Sequence, residues 1–358
     1  MSTEPHETKA FVTPGNHTRF VIDVLRATGA TSADSAVVAE GLLWADLRGR
    51  HVNGLTRLPN IVERLSKGLI RSPAAMVWQE VGPSAAMLDA GHGLGHVASR
   101  KAILRAVELA HAQGVGLVAV RHSNHFGAAG YYCAIAAEAS CLSFNYTNAF
   151  PKVAPYGGRK PVLGTNPIAF GCPTRGAGPL LVDLSTSAIS GAEARSTDGK
   201  GGRLPPGVAL DAEGRPTQDP AALKMGCLLP AGGARGFALG LMVEILSGVL
   251  TGSAVGKEVG SLFSTWDRPN DVGHLFIAVD IEHFLPLSEF LGRLDGLLAW
   301  IAATPPMEGF EAVRIPGQIR AQLAERYARE GIPVAQESVS PLMQLAQRFN
   351  LPVPWNYD

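Results

Sequence analysis

Gly116-Leu117-Val118-Ala119-Val120, continued by Arg121-His122-Ser123-Asn124-His125-Phe126-Gly127-Ala128-Ala129-Gly130-Tyr131, is the stretch whose reading decides the fold class. The apolar run reads as a buried strand, and Tyr131 to Ala139 reads as a helix. Polar and imidazole groups therefore sit where a strand gives way to a helix, the usual place for ligands in an α/β sheet. His125 is the candidate proton donor and acceptor of the site, because histidine ionises near working pH and serves both directions. His122 reads as supporting structure.

Working outward, composition sets the bounds. The chain has 358 residues, 46% hydrophobic and 17% charged, enough for a large core and two or three domains. Lysine plus arginine (31) balances aspartate plus glutamate (31), so no nucleic-acid partner is expected. The cysteines, Cys133, Cys141, Cys172 and Cys227, have no CxxC spacing and no nearby histidine pairs. They are expected to be reduced thiols of a cytoplasmic protein, with no metal site. Met1 to Thr18 is polar and lacks the apolar core of a signal peptide. The most apolar helix candidate, Gly236 to Gly252, is interrupted by Glu244 and reads as a buried helix, so no membrane partner is expected.

Before the opening stretch, residues 19–29 and 32–48 read as helices, with Thr31 or Ser32 as a cap. Arg48 to Pro59 is a glycine-marked turn with three arginines, a residue type suited to gripping a carboxylate. A helix follows to Lys67, with Gly68 as its C-cap. Residues 84–90 read as a strand, then Gly91-His92-Gly93-Leu94-Gly95-His96 opens a helix with alanines at 98, 102, 106 and 110. His96 holds the third glycine position of a GxGxxG fingerprint, and no ribose-binding acid follows, so this is not a Rossmann site.

After it, strands are expected at 141–146 and 179–182, the latter running into Asp183-Leu184-Ser185-Thr186-Ser187. Residues 196–222 read as an ordered excursion or lid. Gly232-Gly233-Ala234-Arg235-Gly236 opens a helix and makes a ready anion site. A strand at 274–280 and helices at 286–303, 318–330 and 340–349 complete the chain.

Six segments in order carry a resemblance: Ala45-Asp46-Leu47-Arg48-Gly49, Ser123-Asn124-His125-Phe126-Gly127, Leu163-Gly164-Thr165-Asn166-Pro167, Asp183 to Ser187, Gly214 to Pro220, and Gly232-Gly233 with Gly236. Together they resemble the type 2 malate/L-lactate dehydrogenase family, which includes ureidoglycolate and sulfolactate dehydrogenases and Δ1-piperideine-2-carboxylate reductase. The resemblance implies an α/β fold that is not a Rossmann fold. A central cofactor-binding sheet domain, residues 116–299, would be flanked by a helical, substrate-binding and dimerisation domain from both chain ends, residues 1–115 with 300–358. It also implies a homodimer with the active site near the subunit interface.

By the same resemblance, His125 is the acid/base of an NAD- or NADP-dependent oxidoreductase acting on a small carboxylic acid. Arg57 grips the substrate, and Thr165 lies beside it. Asp183, Leu184, Ser185 and Arg235 line the cofactor, with Ala149 where members often have serine. The chain reads His51-Val52-Asn53-Gly54 where most members read Asp-Ser-His-Gly. Asn53 there can bond a substrate but cannot exchange a proton near neutral pH.

The expected activity is interconversion of a 2-hydroxy acid and its 2-oxo acid. The alternatives are reduction of cyclic imino acids, whose serine–histidine pair is missing here, and a catalytically impaired homologue that only binds cofactor.

Overall fold

The computed structural model describes residues 10–176, 178–199 and 201–357. Met1 to Lys9, half of the polar N-terminal stretch, lie outside them.

The described chain begins with β1 (Ala10–Val12) and α1 (Pro14–Ala27). Thr13 caps α1 by accepting from Asn16 N at 3.2 Å, and Pro14 supplies a preset φ. α2 (Ser32–Leu47) is capped by Thr31, which accepts from Asp34 N at 3.1 Å. α3 (Leu58–Ser66) ends at Lys67, with Gly68 left-handed just beyond. Next come β2 (Val77–Gly82), β3 (Ala85–Asp89), α4 (Gly95–Gln113), β4 (Val115–Ser123), α5 (Ala129–Glu138) and β5 (Cys141–Thr147). β6 (Ile168–Cys172), β7 (Leu180–Leu184), α6 (Gly191–Gly199), β8 (Ala209–Leu210), β9 (Cys227–Leu228), α7 (Ala234–Glu244) and β10 (Val272–Asp280) follow. The last elements are α8 (Leu287–Ala302), α9 (Gln318–Glu330), β11 (Ile332–Pro333), α10 (Gln336–Phe349) and β12 (Trp355–Tyr357).

The chain divides into two compact units, one running to Pro73 and resuming at Gly317, the other spanning Ala74–Pro316. The sequence reading drew these boundaries at 115 and 300. They fall elsewhere because β3 pairs in parallel with β4, from Ala85↔Leu117 to Asp89↔Arg121, which draws β2, β3 and α4 into the sheet unit.

The larger unit holds a seven-stranded sheet in the order β2-β3-β4-β10-β5-β6-β7, with β8 and β9 paired apart from it. Only β3–β4 is parallel; the other pairings are antiparallel. A doubly wound dinucleotide fold needs a mostly parallel sheet, so this is an α/β architecture of another kind. The alanine row of α4 explains how that helix lies down on it. Ala98, Ala102, Ala106 and Ala110 are fully buried. A Cβ on Gly116 would sit 1.9 Å from the Ala106 carbonyl, so helix and strand touch backbone to backbone.

The excursion after α6 is ordered and has its own core of Leu204, Val208, Ala209, Leu223 and Leu228 against Val153 and Ile189. α7 passes into a π-helical turn, Ile245–Val249, so the helix expected over 236–252 is not uniform. Among the described residues no helix is long and apolar enough to cross a membrane.

The smaller unit contains a three-stranded sheet, β11-β1-β12, that sequence did not announce because its strands are two or three residues long. Val21, Val24, Leu25, Leu42 and Leu58 form its helical core, each fully buried.

Candidate active site

β4 ends at Ser123, and the chain turns through Asn124 to Gly127 before α5 begins. The turn is held from below. Asn124 Nδ2 donates to the carbonyls of His92 (3.1 Å) and Gly93 (2.9 Å). A Cβ on Gly95 would lie 2.1 Å from Asn124 O and 2.4 Å from His125 O. Gly95, at the start of α4, thus allows close backbone approach beneath His125.

The ring after His125 is clamped. Phe126 stacks on His274 (centroids 4.7 Å, planes 6° apart) and on Tyr132 (5.1 Å, 28°), and Tyr132 OH donates to the Phe126 carbonyl. His274 comes from β10 and is fully buried. Its Nδ1 is 2.8 Å from Thr147 Oγ1 and its Nε2 is 2.8 Å from Ser123 Oγ. The Thr147 hydroxyl spends its proton on a carbonyl, that of Gly273 (3.0 Å) or Asn148 (3.1 Å). It must therefore accept from Nδ1–H, which leaves Nε2 to accept from Ser123. That is the neutral tautomer, in keeping with burial that pushes the His274 pKa down to about 3.

His125 itself is half-buried. Its Nδ1 accepts from Gly127 N–H at 3.3 Å, and Gly127 reaches that position with φ +82°. His96, buried, lies 6.4 Å away centroid to centroid, and burial pushes its pKa down to about 4. His122 is engaged elsewhere: its Nδ1 is 3.0 Å from Asp89 Oδ2, an oxygen that also takes Arg121 Nε at 3.1 Å.

A second knot fixes the Leu163–Pro167 segment. Asn166, with φ +32°, accepts from Ala149 N (3.1 Å) and donates to Gly240 O (3.0 Å) and Glu244 Oε2 (2.7 Å). Glu244 also accepts from Gly256 N at 2.7 Å. The Thr165 carbonyl takes the Thr186 N–H at 3.0 Å, which ties Thr165 to the strand end beyond β7. Ala149, Thr165 and the 183–187 segment are thus joined through shared hydrogen bonds.

Asp183 Oδ2 accepts from Gly130 N at 3.1 Å, on the first turn of α5, and so links the end of β7 to the segment bearing His125. Leu184 beside it is 47% exposed. The Ser187 hydroxyl stands 3.0 Å from that of Ser185. Arg235 is exposed at the start of α7, behind Gly232 (φ +59°) and Gly233 (φ +66°). The N–H groups of a first helical turn have no intrahelical partners, so this cationic helix start suits the phosphates of a dinucleotide.

The remaining expected residues lie in the smaller unit. Asp46 organises their turn by accepting from His17 Nε2 (2.9 Å), His51 Nδ1 (2.8 Å) and Leu55 N (2.7 Å). Burial would raise its carboxyl, but the two histidine bonds outweigh that and hold it below the ordinary range. Gly54 is required there, since a Cβ would collide with the Asp46 carboxylate at 2.1 Å. Asn53 closes a one-turn helix, His51–Asn53, and Arg57, buried, leads into α3. Arg320 donates to Arg48 O (3.0 Å) and Gly49 O (3.2 Å) and so braces the start of this turn.

His274, Asn166, Glu244 and Asp46 are the positioning residues that sequence reasoning missed. The signals were a lone carboxylate, Glu244, in an apolar helix, and the places of Asp46 and Asn166 inside two of the six segments quoted above.

A family model described as malate/L-lactate dehydrogenase matches residues 12–343. A malate dehydrogenase from Pyrococcus abyssi is 38% identical over 341 residues, covering 93% of each chain. A (2R)-3-sulfolactate dehydrogenase (NADP(+)) from Chromohalobacter salexigens is 37% identical, covering 91% of this chain and 95% of its own. The solved structure of malate dehydrogenase from Pyrococcus horikoshii OT3 superposes with a TM-score of 0.89 at 32% identity, covering 98% of this chain and 99% of that one.

Proposed function

Because the chain belongs to the malate/L-lactate dehydrogenase family, its chemistry is that of an NAD(P)-dependent oxidoreductase, and we propose that it interconverts a small 2-hydroxy acid and its 2-oxo acid with His125 as acid/base. The observation that carries this reading is the bond from Gly127 N–H to His125 Nδ1. With Nδ1 accepting, the proton of the neutral ring belongs on Nε2, and the ring is oriented by a backbone that Phe126 and Asn124 hold rigid.

A bound nicotinamide supplies hydride to the carbonyl carbon in one direction and accepts it in the other. As the oxo acid is reduced, protonated His125 gives the Nε2 proton to the carbonyl oxygen. In oxidation the neutral ring takes the hydroxyl proton at Nε2 once its own hydrogen stands on Nδ1, which opens the long contact from Gly127 N–H. Arg57 is assigned to the substrate carboxylate, and Asn53 and Thr165 to hydrogen bonds that orient the acid. Gly232, Gly233 and Arg235 are assigned to cofactor phosphate, with Ala149, Asp183, Leu184 and Ser185 along the rest of the cofactor.

The central sheet unit is read as the cofactor-binding domain, and the chain as a cytoplasmic homodimer. Leu241, Met242, Ile245 and Val249 project from α7 and its π turn, each 37% or more exposed, an apolar stripe that a second copy would cover. Light scattering of the purified protein reads that state directly.

The activity test is a panel of 2-oxo acids and Δ1-piperideine-2-carboxylate, each with NADH and NADPH. The expected result is turnover of at least one 2-oxo acid. His125→Ala is expected to fold normally and to lose roughly 100- to 10,000-fold in turnover. Undiminished turnover in that variant would remove His125 from the mechanism.

A further inference from the structure

The end of the sheet away from His125 carries a second group of chemistry-bearing side chains. The β5–β10 register sets Cys141 opposite Asp280, and both are buried. The last turn of α4 brings His111 Nδ1 to 3.3 Å from Asp280 Oδ2. The one-turn helix after β10, Ile281–His283, brings His283 Nδ1 to 2.8 Å from the same oxygen. One ligand atom each from His111, Cys141 and Asp280 lies within 4.8 Å of the others.

We propose that His111, Cys141 and Asp280 bind a divalent transition-metal ion of the zinc class, with His283 holding the carboxylate from outside. A nitrogen, a thiolate sulfur and a carboxylate oxygen are the ligand set such ions prefer, at about 2.0–2.3 Å from the metal. Tetrahedral ligands at those lengths stand roughly 3.3–3.8 Å apart. The His111–Asp280 separation already matches, and the three ligand atoms need close by no more than about an ångström to reach the rest of that range. The imidazole–carboxylate hydrogen bond from His283 is the outer support that orients a ligating carboxylate.

Burial, with the Asp280 carboxylate adding, pushes the Cys141 thiol up to about 12, so without an ion it keeps its proton. A coordinated cation takes that proton's place. Linear spacing hid the group, because its members stand at 111, 141, 280 and 283 and meet only through strand register. The site is structural rather than catalytic. His274 and Asp280 are six residues apart on β10, about 20 Å of extended chain.

The test uses untagged full-length protein stripped with a chelator and titrated with Co²⁺, then Zn²⁺. About one equivalent of Co²⁺ is expected to give a thiolate-to-cobalt charge-transfer band that Zn²⁺ abolishes. Cys141→Ser should remove the band. His111→Ala, on an exposed helix end, should weaken Zn²⁺ affinity at least about tenfold, and His283→Ala about 10- to 100-fold. Circular dichroism and melting in chelator confirm that each variant is folded; should Cys141→Ser fail there, the His111 variant decides. No charge-transfer band in excess Co²⁺, a band that survives Cys141→Ser, or unchanged affinity in His111→Ala overturns the proposal.

Discussion

The rings of Phe126 and His274 lie face to face, 4.7 Å between centroids and 6° from parallel. A charged imidazole is costly in that position, and burial holds His274 to a pKa of about 3 and His96 to about 4. In the unfolded chain both ionise near 6.5. Between those values the unfolded state binds protons that the folded state does not, so stability is full above about pH 6.5 and is lost as pH falls. Each histidine costs up to roughly 1.4 kcal/mol per pH unit in that window, about 3 kcal/mol for the pair between pH 6.5 and 5. Urea unfolding at pH 7, 6 and 5 should show this decline, and His96→Gln should remove about half of it. A flat profile would contradict the neutral, buried state of both rings.

Gly95→Ala should damage catalysis from beneath. The added Cβ meets the Asn124 and His125 carbonyls at 2.1 and 2.4 Å, and neither backbone atom can yield without moving His125. A loss of about 1–3 kcal/mol is expected, with turnover reduced at least about tenfold. Gly15→Ala is the control, since nothing lies within 4 Å of its Cβ. It should be neutral or slightly stabilising in a thermal melt.

Glu244→Ala removes the acceptor of Gly256 N, half-buried, and one of the two acceptors of the buried Asn166 Nδ2, which keeps Gly240 O. The expected cost is about 2–5 kcal/mol in chemical denaturation. Glu244→Gln, which keeps an acceptor oxygen, should cost clearly less. Equal losses would show that packing, rather than the hydrogen bonds, is what the position supplies.

Arg57→Lys tests the carboxylate grip. Lysine keeps the charge but not the two parallel N–H groups. KM for the oxo acid should rise about tenfold or more, with kcat changed much less, in steady-state assays at saturating cofactor. An unchanged KM would take the residue out of substrate binding.

Local signals were readable wherever the chain decides structure within a few residues. Thr31 caps α2, α9 spans the expected Gln318–Glu330, and the strand before Arg121 is real. The glycine at 95, which sequence placed in a glycine-rich turn, has its physical reason in the contact with residues 124 and 125. What sequence could not show depends on non-local register. Glu244 looks like an interruption until Asn166, Asn148 and Gly256 are brought to it. His274 looks like one residue of a strand until β10 lies between β4 and β5. The domain boundary moved for the same cause, since periodicity says nothing of which strand β3 will join.

The placement of β10 also bears on the order in which the molecule can assemble as it is synthesised. His274 lies 151 residues beyond Ser123, the partner of its Nε2. A nascent chain that has already delivered β4 and β5 holds two open strand edges facing each other, with nothing to join them. The N-terminal half of the sheet therefore waits, its hydrogen-bonding edges exposed, until residues 272–280 leave the ribosome. A product truncated before Val272 would contain every residue of the Ser123–Gly127 turn and still lack the strand that closes the sheet beneath it.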